Sequence, residues 1–137
     1  MLEPSNKIIK KDLEFIATSG APVPQVENGY IVKDAEKRGF YIEPHGYLDE
    51  NLGKQKLDAV ITPTKNLKLP LFGSFVKGAE VIPKLIDKFH PEYVLSSTTG
   101  GDANYSGFLN NFISVEDYNK EISCNLVTLG TMESLEI

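Results

Sequence analysis

The strongest constraint on the fold is a strand, a helix and a second strand that follow one another in the middle of the chain. Residues 57–62 are a near-continuous apolar run that ends at Pro63, which is typical of a strand covered on both faces. Residues 79–89 carry apolar side chains at helical spacing, and Tyr93-Val-Leu-Ser96 predicts another short strand. This order predicts a crossover in which the strands at 57–62 and 93–97 run parallel.

The ends of the predicted helix follow from two prolines. Pro83 is tolerated only near the first turn, because proline lacks the N–H that a helix interior requires. The His90-Pro91 step disfavours helical geometry at His90 and therefore predicts the end of the helix there. A histidine at this position can meet the last free carbonyl groups, so we interpret His90 as structural.

Two segments before the crossover predict an antiparallel hairpin. Residues 29–33 and 39–43 are rich in aromatic and β-branched side chains, and the charged segment 34–38 separates them. Within residues 7–18, the alternation of Leu13, Phe15 and Ala17 predicts another strand, followed by a loop rich in proline and glycine.

The remaining segments give weaker expectations. The apolar connector 62–77 is expected to be a loop that packs on its own domain or on a partner. Residues 105–113 have apolar side chains at helical spacing, and the capping-like spacing from Ser114 to Asp117 predicts a helix through about Ile122. The tail 126–137 is expected to end in a strand.

Composition narrows the class of protein. The chain has 137 residues, which predicts a single domain over 1–137. A net charge of −5 gives no global electrostatic footprint for nucleic acid or anionic lipid, and no apolar run is long enough to span a membrane. The single cysteine, Cys124, and the charged N-terminal segment predict a cytoplasmic protein with an inert thiol.

Two segments contain candidate site residues, and each has a plain structural alternative. Glu43 and His45 follow a predicted strand, where α/β proteins place their sites, although Pro44 and Gly46 also favour an ordinary tight turn. The loop 96–102 could bind an anion through hydroxyl and amide groups or simply cap the next helix. Its candidate anion-binding residues are Thr98, Thr99, Gly100, Gly101 and Asp102.

The order of segments from Gly29 to Asp102 resembles the C-terminal half of metallo-β-lactamase-fold hydrolases. The resemblance rests on the hairpin into Phe40-Tyr-Ile-Glu-Pro-His-Gly46, the strand Leu57-Asp-Ala-Val-Ile-Thr-Pro63, the helix 79–89 and the strand into Thr98-Thr-Gly-Gly-Asp102. The tail 127–137 is similar to the closing strand of such domains. The resemblance implies an α/β fold: half of an αββα sandwich, with a mixed β-sheet covered by helices on one side.

The histidine cluster His-x-His-x-Asp-His, with which the family binds its metals, has no counterpart in this sequence. The resemblance places Glu43 or His45 at one metal position and the family's last histidine ligand near Thr98. It therefore implies no cofactor for the chain alone, and zinc or another divalent metal if a partner completes the site. Autonomous catalysis is not expected.

Three functions remain open. The first is a non-catalytic or partner-dependent half-domain that self-associates as a homodimer or pairs with a complementary half-domain. The second is a metal-dependent hydrolase that a partner chain completes with the histidine cluster. The third is a small-anion or nucleotide-binding module that uses the loop 96–102.

Overall fold

A computed structural model describes residues 3–21, 27–69, 73–97, 114–130 and 132–137, which contain two β-sheets and a helix. The strands are β1 (Lys7–Lys10), β2 (Leu13–Ser19), β3 (Asn28–Lys33), β4 (Gly39–Ile42), β5 (Ala59–Thr62), β6 (Lys65–Leu69), β7 (Gly73–Lys77), β8 (Tyr93–Ser96), β9 (Ser114–Asp117) and β10 (Asn125–Val127). The helix, α1, spans Gly78–Phe89.

The larger sheet has seven strands in the order β1-β2-β3-β4-β5-β8-β10. Its first half is antiparallel, because β1 to β4 follow one another through short connections. From β4 onward all neighbouring strands are parallel. The predicted hairpin over 29–43 is confirmed, and so is the parallel pairing of β5 with β8.

The smaller sheet is antiparallel and has β6 in its centre, between β7 and β9. Its pairing with β9 includes two ion pairs across the strands, Lys65 with Asp117 at 3.0 Å and Lys68 with Glu116 at 2.7 Å. The hairpin β6–β7 lies inside the segment expected to be a loop, so that prediction is wrong. In this hairpin, Leu67 pairs with Val76 and Leu69 pairs with Gly73.

Helix α1 packs on one face of the larger sheet, which we call the first face. Val81, Leu85 and Phe89 are buried at the spacing of one helical face. The Phe89 ring lies 5.1 Å from that of Tyr41 on β4, measured between ring centroids. The helix ends where it was predicted to end: the N–H of His90, in the left-handed conformation, donates to the Ile86 carbonyl at 2.8 Å.

Strand register explains why the core lies on this face. One row of side chains crosses six strands and faces α1: Ile16, Ile31, Tyr41, Val60, Val94 and Leu126. Its four central members are essentially inaccessible to solvent. Because successive residues of a strand point to opposite faces, the neighbours of these residues lie on the other side of the sheet, which we call the second face.

The structure corrects the predicted α/β architecture. Half of an αββα sandwich covered by helices would need several helices, whereas the described residues form mainly strands and a helix of 12 residues. The helix predicted over 114–122 is also wrong, since β9 occupies its beginning. There, pairing with β6 outweighs the local capping-like spacing. The helix predicted over 105–113 lies outside the described residues.

Smaller differences between the predicted and the observed elements occur near the two ends of the chain. The segment 7–18 is a hairpin of β1 and β2 instead of one strand, with Lys11 in the left-handed conformation at its turn. In the tail, β10 is confined to Asn125–Val127, and the described residues after it have no regular structure. No helix of the described residues is long and apolar enough to cross a membrane.

Candidate functional site

The buried polar residues of the described chain gather at one edge of the larger sheet. The parallel strands β4, β5 and β8 all end there, β2 ends beside them, and antiparallel β3 begins there. We call this the carboxyl edge. The buried polar or charged residues lie in these strand ends or in the segments that follow them: Thr18, Asn28, Glu43, Asp49, Thr62, Thr64 and Asn66. This is the edge where open α/β sheets hold ligands.

Glu43 points into the protein and closes its own turn. Its side chain is fully buried, and Oε2 accepts hydrogen bonds from the backbone N–H groups of His45 at 2.9 Å and Tyr47 at 2.6 Å. Burial raises the pKa of Glu43 above its ordinary value, although the amides of Tyr47 and His45 act in the opposite direction. The carboxyl group therefore holds the turn 43–47 together.

His45 lies at the surface end of the same turn. Its Nδ1 is 3.3 Å from Oε2 of Glu27, and about a quarter of its side chain is exposed. Its carbonyl accepts a hydrogen bond from the Lys77 N–H at 3.2 Å, immediately before α1 begins. The turn thus contacts the start of the helix through its backbone.

Close packing of two glycines fixes that contact. Gly46 has a φ of +68°, and a Cβ there would lie 2.4 Å from the nitrogen of Gly78, the first residue of α1. A Cβ on Gly78 would lie 2.0 Å from the carbonyl oxygen of Pro63, which follows β5. Larger residues at either position would push the turn, the helix and β5 apart.

Asp49 and Tyr41 complete the polar edge. Asp49 accepts hydrogen bonds from the N–H groups of Ser19 and Asn51, both at 2.9 Å. Burial alone would raise the pKa of Asp49, but these hydrogen bonds together lower it. The Tyr41 hydroxyl donates a hydrogen bond to the Tyr47 carbonyl at 3.2 Å. Burial is the main cause that raises the pKa of Tyr41, and the neighbouring Glu43 carboxylate is the second. This edge is tied together by side chains that bind backbone groups.

The predicted metal residues do not form a zinc site with other described residues. A zinc site needs three or four protein ligands, and the described chain contains no group of three His, Cys, Asp or Glu side chains that could hold a metal ion. One oxygen of Glu43 is already occupied by two amides. The donor set of the described residues therefore does not fit zinc.

The predicted anion-binding residues lie outside the described part of the chain. They follow Ser97, and the next described residue is Ser114; the candidates are Thr98, Thr99, Gly100, Gly101 and Asp102. Ser96 is described, and its hydroxyl lies 2.7 Å from that of Thr64. The anion site stays a prediction.

Sequence reasoning missed Thr18 and Thr62. Both are fully buried, and strand register puts them on the first face in one row with Gly29, Glu43 and Ser96. A signal was present: each is a polar residue near the end of a strand, Thr62 directly before Pro63 and Thr18 two residues before Gly20. Only the register shows that they share a row.

The second face of the larger sheet is a separate candidate surface. Two rows of side chains cross it, and none of their members is charged. One row contains Phe15, Val32, Phe40, Ala59, Tyr93 and Asn125, and the other contains Ala17, Tyr30, Ile42, Ile61, Leu95 and Val127. Most of the larger side chains are half-buried, whereas the matching row on the first face is buried beneath α1.

A cavity of about 290 Å³ opens at one end of the second face. Its apolar lining includes Val32, Phe40 and Ala59, and charged groups of Asp34, Arg38 and Asp58 stand beside it. Arg38 forms an ion pair with Asp34 at 2.7 Å. The cavity is therefore an apolar pocket with a polar rim, a common setting for an inserted side chain.

Comparisons of this chain with protein-family models, with curated proteins and with solved structures give no match.

Proposed function

We propose that this chain works by association and that its second face is the site at which a second copy binds. The observation that supports the proposal is the contrast between the two faces of one sheet. The first face is buried beneath α1, while two uncharged rows on the second face keep half-buried aromatic and aliphatic side chains. Contiguous apolar surface of this kind is typical of interaction sites.

A second copy suits this face because both surfaces would be uncharged. The chain carries a net charge of −5, so most of its surface would repel another copy, but the two rows contain no charged side chain to desolvate. Two twisted sheets pack face to face about 10 Å apart, and their inward side chains interdigitate. A symmetric dimer buries the same patch on both partners.

The area of the two uncharged rows sets the expected affinity of the proposed dimer. Strands about 4.8 Å apart and two rows of side chains give the six-strand patch a planar area of about 400 Å². That area is typical of a functional patch and smaller than the roughly 800 Å² that each partner buries in a standard interface. We therefore expect a weak dimer that dissociates on dilution.

The proposed association needs no metal and no catalytic group, and Glu43 serves it only by shaping the turn before α1.

We place the protein in the cytoplasm, on the basis of its single cysteine, whose thiol pKa is raised by burial. A thiol of this kind is poorly reactive, so the proposed dimer is non-covalent.

The test compares two identical substitutions on opposite faces. Ile61→Lys puts a charge in the middle of the second face, whereas Ile9→Lys puts the same charge at an exposed position of β1 on the other face. Sedimentation velocity over a hundredfold range of concentration measures the average mass of each chain. Circular dichroism first establishes that both variants are folded.

We expect the unmodified chain and Ile9→Lys to approach the dimer mass as concentration rises, and Ile61→Lys to remain a monomer. A monomer at every concentration for the unmodified chain would contradict the proposal. So would a dimer that Ile61→Lys leaves intact, because the copies would then meet through another surface.

A further inference from the structure

The tail after β10 returns to the second face of the larger sheet. Val127 ends β10, and strand register places its side chain in one of the two uncharged rows. Ile137 forms one wall of the cavity of about 290 Å³, whose other walls include Leu13, Val32 and Phe40. The tail therefore begins and ends on the same face, with β8 and β5 between the two points.

A turn sends the chain back in this direction. Strand β10 runs toward the carboxyl edge, whereas the cavity lies where β4 and β5 begin. At the turn, the N–H of Glu133 donates to the Gly130 carbonyl at 3.1 Å, and the Glu133 carboxylate accepts the N–H of Gly130 at 2.7 Å. Met132 has a φ of +67° there and is almost fully exposed. The residues after this turn, 134–137, are called the strap.

Chain length fits a path across the second face. Strands β10 and β3 are four strand spacings apart, or about 19 Å. The ten residues from 128 to 137 reach at most about 33 Å when fully extended, and the turn uses part of that length. The first face is closed by α1, so the strap lies over the second face.

The contact between the strap and the sheet is loose. Leu135 is half-buried, and Ile137 keeps 52% of its surface exposed. The cavity stays open between Ile137 and the sheet. No hydrogen bond between described residues ties the strap to a strand. A segment held by so few contacts can leave the surface at little cost in free energy.

We propose that the strap is an autoinhibitory cover of the second face, which a second copy must displace before it binds. This inference rests on the proposed dimer. The strap and a second copy would contact the same side chains, Val32 and Phe40 among them, so they exclude each other. If the strap is released in only a fraction of the molecules, the apparent affinity is reduced by that fraction for each of the two copies.

The test weakens the strap without changing the sheet. Ile137→Ser removes the apolar side chain at the cavity, and Met132→Ser makes the same kind of change at the exposed turn. Sedimentation velocity measures the dissociation constant of the dimer for these variants and for the unmodified chain. We expect Ile137→Ser to lower it about three- to tenfold, because the released strap counts once for each copy. Met132→Ser should leave it unchanged.

Carbene footprinting of the dilute proteins provides a second readout that does not depend on association. Ile137→Ser should raise the labelling of Phe40 and Leu13, since the strap then shields them less. Phe89, beneath α1, should stay protected in every chain. Met132→Ser should show the labelling of the unmodified chain.

The two readouts separate a failure of the strap from a failure of the dimer. Unchanged labelling of dilute Ile137→Ser would overturn the proposal, because the strap would not cover the face. A dimer that Ile137→Ser weakens would also overturn it, since Ile137 would then belong to the interface, and so would a dimer whose dissociation constant does not change. Monomers at every concentration for all three chains would reject the proposed dimer, and the competing strap would fall with it.

Discussion

The two faces of the larger sheet are built from the same strands, yet they differ in what covers them. On the first face, Tyr41 and Val60 are sealed beneath Leu85 and Phe89 of α1. On the second face, one residue away along the same strands, Phe40 and Ile61 remain half-buried. Alternating residues of a strand thus differ in their surroundings: one set packs against α1, and the other, which we propose binds a partner, lies on the opposite side of the sheet.

The largest expected effect comes from removing an aromatic side chain from each face. Phe89→Ala should lower the free energy of unfolding by about 3–5 kcal/mol, because it leaves a cavity against Tyr41. Phe40→Ala on the second face should cost less in dilute solution, where that side chain is not fully buried. Urea denaturation of the dilute proteins measures both.

Similar losses of unfolding free energy in Phe89→Ala and Phe40→Ala would contradict the difference between the two faces. They would mean that the second face is covered within a single chain. At high protein concentration we expect Phe40→Ala to show an additional loss, because the dimer would then be weakened as well.

A smaller effect is expected at the far end of α1. Nζ of Lys88 donates to the carbonyl oxygens of Asp49, Glu50 and Leu52 at 3.3, 3.2 and 2.7 Å. This ammonium group ties the loop after the turn 43–47 to the helix that covers the first face. Lys88→Met keeps the aliphatic stem and should lower the free energy of unfolding by about 1–2 kcal/mol.

Lys84→Met provides the matched control for this prediction, because Lys84 is exposed on the same helix and, among the described residues, pairs with Glu50 at the longer distance of 3.7 Å. Thermal unfolding of both variants gives the comparison. Equal midpoints for the two would show that the three carbonyl contacts contribute nothing to stability.

The smallest effect is a dependence on pH. Because burial raises the pKa of Glu43 in the folded chain, the folded state holds its proton more tightly than the unfolded state does. The free energy of unfolding should therefore fall as the pH rises from the ordinary glutamate pKa, near 4.5, through the pKa of Glu43 in the fold.

Glu43→Gln should remove that slope, because the amide oxygen can still accept the two backbone N–H groups but does not titrate. Asp49 has a lowered pKa, so its contribution to stability is lost only as the pH falls below its ordinary value. It therefore does not affect the slope in the pH range where Glu43 titrates. Urea unfolding at closely spaced pH values supplies the slope. An identical slope in Glu43→Gln would assign it to another group.

Sequence patterns predicted the elements whose local signals and tertiary contacts agree. The hairpin over 29–43 has β-formers around a charged turn, and α1 has both an apolar stripe and the His90-Pro91 stop. Patterns failed where pairing with a distant strand decides the structure. The segment beginning at Ser114 has a helix-like start, but its partner is β6, almost 50 residues away in the sequence.

The candidate surfaces show the same limit. The Glu43 turn was visible because its residues are adjacent in the sequence. Thr18 and Thr62 were not, because their common row depends on the order and register of four strands. The second face is likewise invisible in any one strand: a single apolar residue such as Ile61 or Leu95 does not tell which of the two faces a helix covers.

The central claim is that another copy of the chain covers the second face. Carbene footprinting with mass spectrometry, on samples from dilute to concentrated, measures the exposure of side chains on both faces. We predict that labelling of Phe15, Phe40 and Leu95 falls as concentration rises, while Phe89 stays protected throughout and Ile9 stays labelled. Labelling of the second face that does not change with concentration would contradict the account.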